Sequence, residues 1–255
     1  MSSTNSLKHI FAQPEHIQEI GNIYPIKLIN HDEFQECSKL LYISKSHFQE
    51  QDIPLLGLIF VYKEYLGINE EDLILSFEKL FSLVLRKTVE IKYDNDMFWF
   101  EFKDKVLDEN GKIKSLKRQI NFYNYDSIRE IVMKQNLIFE QKIYKDPLVQ
   151  EWANKVLESR SKNSPKITIE DFITTVKNFD GLTYDQIMEQ SIYQLYADFY
   201  RIGKMKEFEK SCLFATVSTE PISIQHFAQN IDIWKSPYDD LFVDSSKLDK
   251  LNTVV

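Results

Sequence analysis

The sequence predicts a mainly α-helical protein with one small antiparallel β-sheet inserted at about residues 88–122, and three observations carry that reading. Apolar residues recur at three- and four-residue spacing along most of the chain, cap signals stand ahead of these stretches, and the period drops to about two only between Thr88 and Phe122. With 43% hydrophobic and 27% charged residues among 255, one large domain or two small ones with a packed core are expected, and wholesale disorder is not.

In chain order, Ile23 to Ile29 reads as a short extended segment that Pro25 places at an edge or strand start. Asp32 is positioned to cap a helix whose apolar face is Phe34, Cys37, Leu41 and Phe48, which makes Cys37 a core residue rather than a reactive thiol. Asp52 and Pro54 open a helix carrying Leu55, Leu58, Ile59 and Tyr62, with little polar face. Asn69, followed by Glu70, Glu71 and Asp72, supplies a cap and first-turn acids for a helix with Leu73, Phe77, Leu80, Phe81 and Val84 inward.

The period then changes. Thr88 to Tyr93 and Met97 to Phe102 flank Asp94-Asn95-Asp96 as strand, turn and strand, and Asn110-Gly111 turns between Lys105–Leu107 and the strand residues Ile113 and Ile120 to Phe122. Asn124 is expected to cap a helix over Tyr125 to Gln135 with Ile128, Ile131 and Val132 inward, and Asp146-Pro147 to start another carrying Val149, Trp152, Ala153 and Val156. The polar run Ser159 to Pro165 is the best linker candidate. Thr168 with Asp171 resembles a capping box, Gly181 stops that helix, and Thr183 with Gln186 opens the longest helix, with Ile187, Ser191, Leu195, Phe199 and Ile202 on one face. The expected organisation is therefore residues 1–87 (an extended segment plus helices), 88–122 (the sheet), 123–158 (helical), 159–166 (linker) and 167–255 (helical, with an extended tail from Trp234).

Charge and composition remove several function classes. The six glycines come no closer than Gly57 and Gly67, so neither a G-x-G-x-x-G nor a G-x-x-x-x-G-K-[ST] phosphate loop exists. Cys37 and Cys212 form no C-x-x-C pair, and the five histidines never share i,i+4 spacing with another His or Cys, so neither a zinc site nor a disulfide framework is expected. Asp239, Asp240 and Asp244 are expected to be solvated tail acids rather than a cation site. No hydrolase signature is present, so no catalytic residue, cofactor or metal is assigned. Met1 to Gln13 lacks the apolar stretch of a secretory signal, and the longest apolar run, Ile53 to Tyr62, is about half of the ~20 residues a membrane span needs.

The net charge of −8 disfavours a general phosphate-backbone binder. Its distribution is uneven: residues 1–111 carry 11 basic and 19 acidic side chains, 112–179 carry 13 and 8, and 180–255 carry 7 and 12. The basic stripe of the middle part, Lys112, Lys114, Lys117, Arg118 and Lys166, is open to three readings: a solvated surface, a protein contact, or a nucleic-acid contact. Tyr193, Tyr196 and Tyr200, with Arg201 beside them, form a second aromatic face on the longest helix, suited either to a second core contact or to a partner, since Tyr and Arg are enriched at interface hot spots.

Several stretches carry a family resemblance: Asn121-Phe-Tyr-Asn-Tyr-Asp-Ser-Ile-Arg129 with Lys134-Gln-Asn-Leu-Ile138; Tyr144-Lys-Asp-Pro-Leu-Val-Gln150; and Leu182-Thr-Tyr-Asp-Gln-Ile-Met188 with Ile192-Tyr-Gln-Leu-Tyr196 and Phe199-Tyr-Arg-Ile202. Over roughly residues 120–230 the chain resembles proteins from the tail-gene clusters of bacteriophages that infect Gram-positive hosts, of the tail assembly chaperone type. The resemblance implies a non-enzymatic, helical protein of the host cytoplasm that binds other phage proteins, in such families the tape-measure or tail-tube subunits, with self-association open. A permanent virion component of the tail, baseplate or neck is the alternative, and a nucleic-acid-associated factor using the basic stripe a second one.

Overall fold

Asn69 and the acidic turn after it start the helix on which the core is assembled. The computed structural model describes residues 6–50, 52–94, 97–107, 113–140, 142–236 and 238. Asp72 donates its backbone N–H to Asn69 Oδ1 at 2.7 Å, and the helix α4 (Glu70–Leu85) ends at Arg86 in the left-handed region with φ 55°. Leu73, Phe77, Leu80, Phe81, Val84 and Leu85 are buried along it. Ahead of α4 come α1 (Ser6–Ile10), the hairpin β1 (Glu15–Ile17) and β2 (Gly21–Ile23), the short helix α2 (His31–Cys37) and α3 (Leu55–Val61).

Three antiparallel strands follow in the order β3-β4-β5: β3 (Val89–Asp94), β4 (Met97–Leu107) and β5 (Ile113–Ile120). Alternation along β4 sends Phe98, Phe100 and Phe102 toward α3 and α4. The ring of Phe100 lies 5.6 Å from that of Phe77 and 5.0 Å from that of Phe81, and Phe60 of α3 stacks on Phe77 at 5.8 Å. Tyr125, at the start of α5 (Tyr125–Gln135), closes the cluster edge-on to Phe77 and Phe81. The sheet is thus inserted in chain order but shares its core with the helices. The remaining helices are α6 (Pro147–Asn163), α7 (Ile169–Asp180), α8 (Tyr184–Met188) and α9 (Ile192–Val217).

The mainly α class with a small inserted sheet holds, and the differences from the sequence reading are local. Helix α1 and the β1–β2 hairpin arise in a region with no long apolar period. Asp32 sits in the first turn of α2 rather than capping it, and after Cys37 the chain continues as 3₁₀ turns at Ser38–Tyr42 and Lys45–His47, although Phe34, Cys37, Leu41 and Phe48 are all buried as expected. Asn124 does not cap α5; its Oδ1 accepts from the N–H of Asn121 and its Nδ2 donates to Gln119 O, so it braces the turn that leaves β5. β4 runs unbroken through Lys103 and Asp104, and β5 ends at Ile120. Asn95-Asp96, Asn110-Gly111, Lys112 and the tail acids Asp239, Asp240 and Asp244 lie outside the described residues.

Two corrections concern the C-terminal half. Ser159 to Asn163 do not leave the helix but complete α6, where Lys162 pairs with Glu158 at i,i+4 and no helix breaker intervenes before Pro165. The longest helix opens at Ser191, not at Thr183. Thr183 and Gln186 form the expected capping box, but α8 lasts five residues, and a second box, Ser191 with Gln194, starts α9. The interruption is tertiary: the backbone there is claimed by the N-terminal segment, with Leu28 N–H donating to Gln190 O at 2.9 Å and Lys27 bridging Ser191.

Phe77→Ala removes a buried ring that contacts Phe60, Phe81, Phe100 and Tyr125, and is expected to cost about 3–5 kcal/mol in urea unfolding. Leu75→Ala, on the exposed side of the same helix, is expected to stay within about 0.5 kcal/mol.

Candidate interaction surface

The aromatic face expected on α9 does not stand open. Tyr193 is buried between two distant parts of the chain: its ring lies 5.4 Å from His9 of α1 and 4.9 Å from Trp234, which is itself 5.0 Å from His9. Tyr196 stacks on Phe172 of α7 at 4.6 Å with the rings inclined by 20°, and Phe199 meets the same ring at 4.1 Å. Arg201 Nη1 donates to Phe227 O at 2.5 Å and Gln229 O at 3.0 Å, fixing the segment that returns along the helix after Val217. Of the four residues only Tyr200 is exposed, at 42%. The physical reason is that α9 packs on two sides, against α7 on one and against α1 and the returning segment on the other.

The open part of α9 is its far end. No residue of α9 after Ile202 is buried. Leu213, Phe214 and Val217 each follow Leu195, Tyr196 and Phe199 by eighteen residues, five full turns, so they repeat the same helix face. Leu195 is fully buried, whereas Leu213, Phe214 and Val217 are 69%, 52% and 75% exposed. The sequence carries this signal in the continued 3-and-4 spacing; what it lacks is that nothing among the described residues covers it. Helix α6 adds a second open apolar site: Asp146 caps it and Ala153 is buried, while Trp152 and Leu148 point to solvent.

The basic stripe divides into separate environments. On β5, Lys114 and Arg118 share one face and Lys117 the other. Lys117 pairs across the strands with Glu101 at 3.1 Å. Arg118 Nε lies 2.9 Å from Asp104 Oδ2 and its Nη1 donates to Gln18 O at 2.9 Å, so it ties the β1–β2 hairpin to the sheet. Burial pushes the Asp104 carboxyl up, but Lys87 and Arg118 together outweigh it and hold it below its ordinary value. Lys114 is exposed on β5, and Lys166 is exposed in the connection between α6 and α7.

Among the described residues no three His, Cys, Asp or Glu side chains are grouped to hold a metal ion, and no helix is long and apolar enough to cross a membrane. Burial pushes the Cys37 thiol up to about 11, which leaves it protonated and unreactive at neutral pH.

The comparisons with known proteins span most of the chain. The chain is homologous to a prophage-encoded protein, which indicates a phage-derived protein. It is 25% identical over 236 residues to the SPbeta prophage-derived uncharacterized protein YomV of Bacillus subtilis (strain 168), covering 91% of each chain. Residues 160–232, from the end of α6 through α9 to the returning segment, match the family model described as the YomV second domain. No solved structure matches the chain.

Two outcomes follow from the α9 geometry. Tyr193→Ala is expected to destabilise by about 3–5 kcal/mol and Tyr200→Ala by less than about 1 kcal/mol, read from thermal or urea unfolding. Burial holds the His9 imidazole below its ordinary 6.5, with Glu15 opposing and Lys134 and Lys8 adding to the effect. The unfolded chain therefore binds more protons between the two values, so this group's contribution makes stability fall as pH drops below 6.5. Asp198, raised by burial and Asp180, acts with the opposite sign at lower pH, so the informative quantity is the wild-type curve minus that of His9→Phe, which is expected to lose the His9 slope.

Proposed function

We propose that the protein is a non-enzymatic bacteriophage morphogenesis factor of the tail assembly chaperone type, working in the host cytoplasm by binding other phage proteins such as tail-tube or tape-measure subunits. The observation that carries this reading is the apolar end of α9, where Leu213, Phe214 and Val217 continue a core face into solvent. Exposed apolar side chains arranged on one helix face contribute nothing to the chain's own fold and mark a site for a protein partner. The homology to a prophage-encoded protein supplies the phage context, and the tail role rests on the resemblance over residues 120–230. A cofactor has no part in this activity.

The test has two arms. Mass spectrometry of gradient-purified virions is expected to find the protein absent, and affinity capture from infected cells is expected to recover tail proteins with it. Stoichiometric presence in the particle would instead make it a structural component of the tail, baseplate or neck. The triple variant Leu213→Glu, Phe214→Glu and Val217→Glu is expected to keep its unfolding midpoint close to wild type, because these side chains are exposed, and to lose capture of the tail proteins. Capture at the wild-type level by a folded triple variant would refute the assignment of this face.

A further inference from the structure

A second concave site lies away from α9, between the chain after the Lys45–His47 turn and the end of α3. It encloses about 300 Å³ and is lined by His47, Phe48, Gln49, Glu50, Tyr62 and Tyr65. Phe48 is buried and its ring meets that of Tyr62 at 5.5 Å, so two aromatic walls are held in place by the core rather than by a ligand. Tyr65 forms a third, exposed wall. The Tyr62 hydroxyl donates to Glu50 Oε2 at 2.6 Å and fixes the carboxylate at the pocket.

The charge in this pocket is uncompensated. Its lining holds no Lys or Arg, and among the described residues none pairs with Glu50. The lysines that flank these elements in sequence are engaged elsewhere, Lys45 with Asp126 at 3.8 Å and Lys63 with Glu70. His47 is turned back on its own turn, where Nδ1 bonds Ser44. The surrounding part of the chain, residues 1–111, is acidic by eight charges. Aromatic ring faces attract cations within about 6 Å of the ring centroid, and a carboxylate at the same point adds a charge-assisted hydrogen bond. An anionic ligand is repelled by Glu50, and a neutral apolar side chain would desolvate the carboxylate without pairing it.

We propose that this pocket receives the cationic end of a lysine or arginine side chain from a partner protein. The site is separate from the α9 face, and its test involves no phage partner, so failure of one assignment leaves the other standing. The full-length protein, ¹³C-labelled in its aromatic rings, is titrated with Nα-acetyl-lysine amide and Nα-acetyl-arginine amide, with Nα-acetyl-norleucine amide as the uncharged control at matched ionic strength. Saturable shifts confined to Phe48, Tyr62 and Tyr65, with dissociation constants of about 1–10 mM for at least one cationic probe and no saturation by the control, are expected. Glu50→Gln keeps the shape and removes the charge, and is expected to weaken binding about 10-fold. Tyr65→Leu, at an exposed position, is expected to weaken it several-fold with the fold unchanged. Equal shifts with norleucine amide, wild-type affinity in Glu50→Gln, or no response to either cationic probe would each overturn the proposal.

Discussion

The described residues up to Tyr42 form only short elements joined by irregular chain, and their burial against the core depends on helix α5 and its C-cap, whose side chains satisfy their buried backbone. A buried peptide group without a partner costs as much as a lost hydrogen bond, so a coil can enter the interior only where side chains meet it. Arg129 donates from Nε and Nη2 to Leu41 O at 3.1 and 2.6 Å. Gln135 donates to Ile23 O at 3.1 Å, and Asn136 Oδ1 accepts from the N–H of Ile26 at 3.1 Å. These three polar residues are buried, and each reaches a strand or turn about ninety or more residues away. Through them Ile20, Ile23, Ile26, Leu40 and Leu41 enter the same core as Phe77 and Phe100.

The same N-terminal segment organises the C-terminal half. Its backbone claims Gln190 and Ser191, which ends α8 and sets the start of α9; the α9 cap residue Gln194 in turn donates to Ile10 O, and Tyr193 closes on His9. One stretch of chain therefore fixes where the long helix begins and in which direction its apolar face points. The direction matters because α9 outruns its support: the face that buries Leu195 against the body still exists eighteen residues later, with nothing of the described chain beneath it.

How much of this the sequence discloses follows from the range of each signal. Caps act within four residues, so Asn69, Asp146, Thr168, Thr183 and Gly181 could be read directly, and the change of period over β3, β4 and β5 marked the sheet. Spacing also put Phe34, Cys37, Leu73, Phe77 and Ile202 inside. Spacing defines a face, however, and not what covers it. Tyr193 and Trp152 illustrate what spacing leaves open: Tyr193 is covered by His9 and Trp234 from opposite ends of the chain, while Trp152 shares a helix with the buried Ala153 and points outward. The pairing of Arg118 with Asp104 was hidden for the same reason, since it depends on a β4–β5 register that no local pattern specifies.

The far half of α9 also raises a question of order, because a helix of about fifteen residues that buries nothing is marginal in water on its own. Local pairs, Lys204 with Glu207 and Lys206 with Glu209, supply a few tenths of a kcal/mol each. A firmer support is the chain that returns beside it: His226 and Phe227 pack on Phe208, Arg201 holds the carbonyls of Phe227 and Gln229, and Trp234 anchors the segment on His9 and Tyr193. Phe208 lies about a third of a turn or more around the helix from Leu213, Phe214 and Val217. The brace therefore steadies the helix from a different side and leaves the apolar face clear. A helix already ordered in the free protein loses little conformational entropy when a partner covers it, so the returning segment makes the exposed end of α9 a prepared binding element instead of a frayed terminus.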